Sequence, residues 1–147
     1  MVNAVAVSSS PTHVRFPAEL NAAVDAFARR SGRPRSTVVV LAVDEWLREQ
    51  AHPGIHFTSD LAGRRRARLR GGPDVWTVAE SWLAHDAADR STEAVAEATG
   101  LAVEQIEAAL AYWADHRREI DSQLAEHQDA QQTAYESWER RRRLDEL

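Results

Sequence analysis

The sequence contains neither cysteine nor lysine among its 147 residues. Without cysteine, the chain has no disulfide, no thiolate nucleophile and no cysteine-ligated zinc site. No apolar run approaches the length of a membrane span, and the first residues lack the positively charged segment of a secretory signal. These absences favour a cytoplasmic protein with no membrane partner.

Patterns typical of catalysis are also missing. The sequence has no nucleophile beside a candidate base, no glycine-rich phosphate loop and no compact set of carboxylates. His52 and His56 are four residues apart, but Pro53 and Gly54 interrupt the helix that would bring them together. The other histidines are scattered. We therefore expect no enzymatic activity, no cofactor and no metal site.

Charge is unevenly distributed along the chain. All 18 basic residues are arginines, and 23 acidic residues give a net charge of −5. Residues 53 to 73 hold five arginines against one acid, whereas residues 74 to 147 hold seven arginines against seventeen acids. The first half is therefore better suited to contact phosphate, and the second half would be repelled by it.

A short extended segment begins the part of the chain that we expect to fold. In THVRF, alternation places Thr12, Val14 and Phe16 on one face and His13 and Arg15 on the other. A strand this short has no partner in the neighbouring sequence, so its backbone groups stay unpaired unless another chain supplies a strand. The segment therefore predicts a dimer. We expect residues 1 to 11 to form a flexible leader.

Two amphipathic helices follow this segment. The first starts at Pro17 and ends at Gly32, and the second starts at Pro34 and ends before Pro53. The valine run of the second segment is typical of a strand, but its length and its charged ending favour a helix. The apolar positions at helical spacing are Leu20, Val24 and Phe27 in the first helix and Val39, Val43, Trp46 and Leu47 in the second.

The segment VRFPAELNAAVDAFARRSGRPRSTVVVLAVDEWLRE resembles the ribbon-helix-helix (CopG- and Arc-like) DNA-binding proteins over its whole length. In that family, two chains pair their strands into a swapped antiparallel ribbon that enters the major groove. The resemblance implies that residues 12 to 52 form a homodimeric domain that binds operator DNA. The implied DNA contacts are Pro11, His13 and Arg15 on the ribbon and Arg35, Ser36 and Thr37 at the start of the second helix. The implied dimer core is Val14, Phe16, Leu20, Val24, Phe27, Val39, Val43 and Trp46.

One of these ribbon positions departs from the family's pattern. Outward ribbon positions usually carry long or polar side chains, and Pro11 offers only apolar or shape contacts. Direct readout of bases would therefore depend on His13 and Arg15, and sequence specificity could be modest.

Residues 53 to 121 predict a β-hairpin followed by three helices. In the hairpin, Ile55 and Phe57 face Ala67 and Leu69 across the turn. The helical segments are DVWTVAESWLAHDA, STEAVAEATG and AVEQIEAALAYWADHRREI, and the last two have the outline of a helix-turn-helix. We therefore expect a mainly α fold with one hairpin in this region.

The same region is similar to a small helix-turn-helix-like domain, the domain of unknown function numbered 433, which occurs in certain VapB-type antitoxins. The matching pieces are GIHF, GRRRARLRGGPDVWTVAESW and LAVEQIEAALAYWADHRREID. The likeness implies a module that binds a toxin or assembles. Near the start of its last helix lie Glu104, Gln105 and Glu107, and the two acids would repel a DNA backbone. This favours protein over nucleic acid as the module's partner.

The stretch GRRRARLR is the first of two candidates for contact with a partner. It contains Arg64, Arg65, Arg66, Arg68 and Arg70. It is compatible with a solvated edge strand, with phosphate contact beside the ribbon, or with insertion into an acidic protein. PIN-type toxins, the usual partners of such antitoxins, cut RNA with a metal held by clustered carboxylates, and an arginine could displace that metal.

The second candidate is the polar tail, residues 122 to 147. We expect it to be a helix that becomes ordered when it binds a partner. Its residues suited to toxin binding are Tyr135, Trp138, Arg140, Arg141, Arg142 and Arg143. The sequence does not decide between the hairpin and the tail.

Together these features lead us to expect a type II antitoxin. It would repress its own operon through the ribbon-helix-helix dimer and neutralise a PIN-like ribonuclease through its C-terminal part. The alternative is a stand-alone ribbon-helix-helix transcriptional regulator without a toxin. A third reading is an interaction scaffold whose ribbon only holds two copies together.

Overall fold

The computed structural model describes residues 10 to 145. The leader predicted for residues 1 to 11 therefore lies almost wholly outside the described residues, as does the end of the predicted tail. The elements are α1 (Ala18–Ser31), α2 (Arg35–Ala51), β1 (Ile55–Ser59), β2 (Arg65–Leu69), α3 (Val75–Ala84), α4 (Thr92–Thr99), α5 (Val103–Asp115) and α6 (Arg117–Asp145). The expected mainly helical fold with one antiparallel hairpin is confirmed for these residues.

The described residues divide into two compact units between Val43 and Asp44. We call residues 10 to 43 the N-terminal unit and residues 44 to 145 the C-terminal unit. The division falls inside α2, so the last two turns of this helix belong to the C-terminal unit.

In the N-terminal unit, residues 10 to 17 form neither helix nor strand. α1 starts after Pro17, whose carbonyl accepts a hydrogen bond from the amide of Asn21 at 3.0 Å. It ends at Gly32 in the left-handed region (φ 62°), a conformation that glycine adopts without steric cost. α2 is helical throughout, including its valine run, as its length predicts.

The C-terminal unit is organised around the hairpin. β1 and β2 pair antiparallel with Ile55 opposite Leu69 and Phe57 opposite Ala67, which confirms the predicted register. The fully buried core side chains come from the hairpin and from four helices. Those of the helices include Val75 and Val78 of α3, Val95 of α4, Ile106 and Tyr112 of α5, and Ile120 of α6.

The predicted helix–glycine–helix is present in this unit as α4, Gly100 and α5. The hydroxyl of Ser91 accepts a hydrogen bond from the amide of Ala94 at 3.1 Å and so caps α4. Gly100 ends the helix with φ 71°.

One predicted boundary is wrong. The sequence predicts one helix from Ala102 to Ile120, but α5 ends at Asp115 and the chain turns at His116 before α6. α6 then continues without a break from residue 121 into residue 122, where we expected the tail to begin. Ile120 and Leu124 are 0% and 5% exposed, so the first turns of α6 belong to the core. Among the described helices, none has both the length and the apolar character that a bilayer span requires.

Candidate functional site

The predicted DNA-contacting residues of the opening segment are all exposed. Pro11, His13 and Arg15 lie in the irregular stretch before α1. The ribbon in which they would contact bases requires a second copy of the chain, so their role stays a prediction.

The predicted dimer core lies largely on the surface of the single chain. Val14, Leu20, Phe27, Val43 and Trp46 expose between 46% and 66% of their area. The remaining three, Phe16, Val24 and Val39, are half-buried. α2 also exposes Val40 and Leu47, which were not among the predicted core residues. Of the described residues in the N-terminal unit, only Ala28 is buried.

At the start of α2, Arg35 contacts α1. One guanidinium nitrogen lies 3.2 Å from a carboxylate oxygen of Asp25, and another donates a hydrogen bond to the side-chain oxygen of Asn21. Both members of the ion pair are more than 40% exposed, so the pair contributes little to stability. A phosphate group could therefore displace Asp25 from the guanidinium of Arg35. Ser36 and Thr37 are exposed beside it.

The arginines of the hairpin contact carboxylates of their own chain. Arg65 donates from Nε and Nη2 to the two oxygens of Glu45, each at 2.7 Å. This hydrogen-bonded carboxylate raises the pKa of Arg65. Arg64 and Arg66 both lie within 3.3 Å of Asp60 and Glu126.

The turn that precedes these arginines is held by Asp60. One of its oxygens accepts hydrogen bonds at 2.9 Å from the amides of Ala62 and Arg64. The bond from the Arg64 amide is the main reason that the pKa of Asp60 is lowered. The turn therefore fixes a carboxylate in its charged form beside two guanidinium groups.

The other two arginines bind backbone carbonyls. Arg68 donates to Gly72 O at 2.8 Å, and Arg70 donates to Pro53 O at 2.8 Å. All five predicted partner-binding arginines of the hairpin thus have contacts within the C-terminal unit. Their assignment to a toxin stays a prediction, and these contacts give each of them a structural role.

A partly buried polar network joins the last turns of α2 to α5 and α6. Arg48 Nη1 donates to the hydroxyl of Tyr112 at 3.0 Å and to Glu119 Oε2 at 2.5 Å. Burial and the charge of Glu119 raise the pKa of Tyr112. Burial by itself would lower the pKa of Arg48, but its bonds to Tyr112 and Glu119 raise it. The sequence did not predict this network.

Two histidines pack against the same tyrosine. The rings of Tyr112 and His116 lie 4.4 Å apart, and His52 contacts the tyrosine edge-on at 5.2 Å. His52 Nε2 lies 3.1 Å from an oxygen of Asp115. Burial and the nearby Arg48 lower the pKa of His116. Within residues 10 to 145, no three histidine or carboxylate side chains are arranged to hold a metal ion.

The predicted tail residues lie on the distal part of α6. Tyr135 and Trp138 are 54% and 47% exposed, and their ring centroids lie 6.0 Å apart. The guanidinium of Arg142 lies 5.1 Å from the Trp138 ring, and Arg143 lies 3.8 Å from Glu139. Arg140 donates to Ser137 Oγ, and Arg141 is exposed. This part of the helix therefore presents two aromatic rings among arginines.

Comparisons of the chain with family models, with curated proteins and with solved structures find no match.

Proposed function

We propose that this chain is the antitoxin of a type II toxin–antitoxin pair. It dimerises through its N-terminal unit, binds the operator DNA of its own gene pair, and neutralises a PIN-like ribonuclease with its C-terminal part. The observation that carries the proposal is an N-terminal unit that consists of α1 and the first half of α2 and has almost no buried core.

The exposed apolar side chains of that unit would be buried by a second copy of the same chain. These side chains are about half exposed or more. They are Val14 before α1, Leu20 and Phe27 on α1, and Val43 on α2. Full burial of a Val, Leu or Phe side chain contributes about 1.5–3 kcal/mol. A second copy that covers this face therefore supplies stability that the single unit lacks. A ribbon formed by both opening segments would also pair backbone groups that have no strand partner in one chain.

Arg15 and His13 would then project from the ribbon toward base edges. The amides at the start of α2, at Ser36 and Thr37, would anchor phosphates, because helix N-termini bind anions. Acidic residues predominate after residue 73, so DNA is expected to approach the N-terminal unit.

For toxin binding, the distal part of α6 is favoured over the hairpin. Arg65 and Arg66 of the hairpin are 33% and 11% exposed and are paired with carboxylates of the C-terminal unit, and a toxin would have to break those contacts. Trp138 and Tyr135 are exposed aromatic side chains on a polar helix, and such residues are common anchors of protein interfaces. Arg140 to Arg143 beside them would meet the acidic metal site of a ribonuclease.

The experiment that tests the proposal measures mass and DNA binding together. Light scattering on the purified chain should give twice the monomer mass, and Val14→Asp should give a monomer that no longer binds DNA from upstream of its gene. Leu61→Asp is the matched control, because Leu61 is fully exposed in the C-terminal unit. A wild-type monomer would refute the proposed ribbon.

Arg15→Ala separates DNA contact from dimerisation. It should weaken DNA binding at least about ten-fold, a typical cost for losing a base or phosphate contact, and leave the mass unchanged. Arg29→Ala, an exposed arginine near the end of α1, is its control. Equal DNA affinity for wild type and Arg15→Ala would contradict the assignment of the ribbon.

A further inference from the structure

A cleft of about 480 Å³ lies in the C-terminal unit, on the side formed by α3, α5 and α6. The residues that line it are Trp82, Leu83, Arg90, Trp113, Arg117, Asp121, Leu124, Ala125 and Gln128. Neither the hairpin arginines nor the distal aromatic residues of α6 belong to it. Its volume falls within the range of small-molecule sites in proteins.

The cleft has an aromatic and aliphatic lining. Trp82 and Leu83 come from the last turns of α3, and Trp113 comes from the last turn of α5. Leu124 of α6 adds a side chain that is 5% exposed. Trp113 is also largely buried, at 8% exposed, whereas Leu83 is 48% exposed and Trp82 is half-buried. The accessible apolar surface therefore comes mainly from Trp82 and Leu83, and it favours an apolar ligand body.

Two arginines lie over the indoles. The guanidinium carbon of Arg90 lies 5.9 Å from the ring centroid of Trp82, and that of Arg117 lies 5.1 Å from the ring centroid of Trp113. Guanidinium groups over aromatic faces keep their in-plane N–H donors directed sideways. The cleft therefore combines apolar surface with donors that suit an anion.

The donors of the two arginines are used to different extents. Arg117 is paired with Asp121, whose other oxygen accepts the indole N–H of Trp113 at 2.7 Å. Arg90 donates from Nη2 to the carbonyl of His85 at 2.9 Å, but its Nε is buried without a partner among the described residues. An unpaired buried donor is costly, so this guanidinium has hydrogen-bonding capacity that the described residues leave unused.

The charge balance of the cleft also favours an anion. Its lining includes two guanidinium groups and one carboxylate, and that carboxylate already accepts bonds from Trp113 and Arg117. An incoming cation would find no unpaired carboxylate in this lining. A carboxylate ligand could form charge-assisted hydrogen bonds with Arg90 while its body contacts Trp82.

We propose that this cleft is a binding site for a small organic carboxylate with an aromatic body. Such a ligand is held by Arg90 at its charged end and by Trp82 and Leu83 along its body. The walls come from three helices and from the segment between α3 and α4, so occupancy stabilises their packing and raises the melting temperature of the chain. This site is independent of the proposed antitoxin function.

Phenylacetate is a suitable probe for the full-length chain. Titration should shift the indole N–H resonances of Trp82 and Trp113, assigned by substitution, and leave that of Trp138 unchanged. Benzyl alcohol keeps the ring but lacks the charge, and benzylamine reverses the charge, so both should bind at least about ten-fold more weakly. Equal binding of phenylacetate and benzyl alcohol, or no shift at the two indoles, would overturn the proposal.

Arg90→Gln should weaken phenylacetate binding at least about ten-fold, the cost of losing one charge-assisted contact. Arg118→Gln is its matched control, an exposed arginine of α6 outside the cleft. Gln128→Glu provides a second variant in case Arg90 is needed for folding. It adds a negative charge at the edge of the cleft, so it should weaken the binding of phenylacetate and leave the binding of benzyl alcohol unchanged. Unchanged phenylacetate affinity in a folded Arg90→Gln or Gln128→Glu variant would refute the site.

Discussion

Arg65 and Glu45 form a two-point ion pair in which Nε and Nη2 each lie 2.7 Å from a different carboxylate oxygen. Glu45 is on the last turns of α2 and Arg65 is the first residue of β2. The side chain of Glu45 is only 16% exposed. The pair therefore fastens the hairpin to α2 in a partly desolvated setting, where charge-assisted bonds are strongest.

Glu45→Ala should lower the free energy of unfolding by about 2 kcal/mol, because it leaves a partly buried guanidinium without its carboxylate. Urea denaturation followed by circular dichroism measures the change. Glu107→Ala is the control, since Glu107 is exposed on α5 and should stay within about 0.5 kcal/mol of wild type. A Glu45→Ala variant as stable as this control would show that the pair does not fasten the hairpin.

The hairpin itself was predictable because its information is local. Alternating apolar residues on both sides of a glycine-containing turn predict two strands, and the cross-strand pairs Ile55–Leu69 and Phe57–Ala67 follow from the spacing. The ion pair between Arg65 and Glu45 was not predictable. Its members are twenty residues apart and belong to elements whose docking depends on the whole core, so no periodicity connects them.

The break between α5 and α6 escaped prediction for a different reason. Neither glycine nor proline lies near His116, and the flanking residues are good helix formers. Tertiary contacts stabilise the turn instead, because His116 packs on Tyr112 and Ile120 becomes fully buried. The polar network of Arg48, Tyr112 and Glu119 was missed for the same reason, although a tyrosine on an otherwise apolar helix face is a signal that its hydroxyl needs a partner.

Tyr112 makes the chain's stability sensitive to alkaline pH. Its pKa in the folded state is raised above the model-compound value of 10.0, so the folded state keeps a proton that the unfolded chain releases. This contribution is fully present below pH 10.0 and is lost as the pH rises through the folded-state pKa. Denaturation measured as a function of pH should show this loss of stability at alkaline pH, and the loss should be smaller in Tyr112→Phe. Tyr135→Phe is the comparison, because Tyr135 is exposed and its replacement should leave most of the fall in place.

His116 makes the stability of the chain sensitive to acidic pH. Its pKa is lowered from 6.5 by burial and by Arg48, with His52 adding to the effect and Glu119 and Asp115 opposing it. The stability that neutral His116 contributes is therefore present above pH 6.5 and decreases as the pH falls. We expect His116→Asn to be less sensitive to mild acid than wild type in thermal denaturation. A steeper fall in the variant would contradict the direction of the pKa shift.

Trp138 tests the proposal that the distal part of α6 neutralises a toxin. If the distal part of α6 binds a PIN-like ribonuclease, Trp138→Ala should weaken that complex by about 2 kcal/mol or more, roughly thirty-fold, as is typical of an aromatic anchor. DNA binding should be unaffected, because the substitution lies outside the N-terminal unit. Gln132→Ala, an exposed position on the same helix, is the control. Affinity is measured by titration with the proposed ribonuclease partner, and neutralisation by protection of RNA.

Arg64→Ala in the hairpin should keep neutralisation, because that arginine is bound to Asp60 and Glu126. Loss of neutralisation in Arg64→Ala but not in Trp138→Ala would assign the inhibitory role to the hairpin instead.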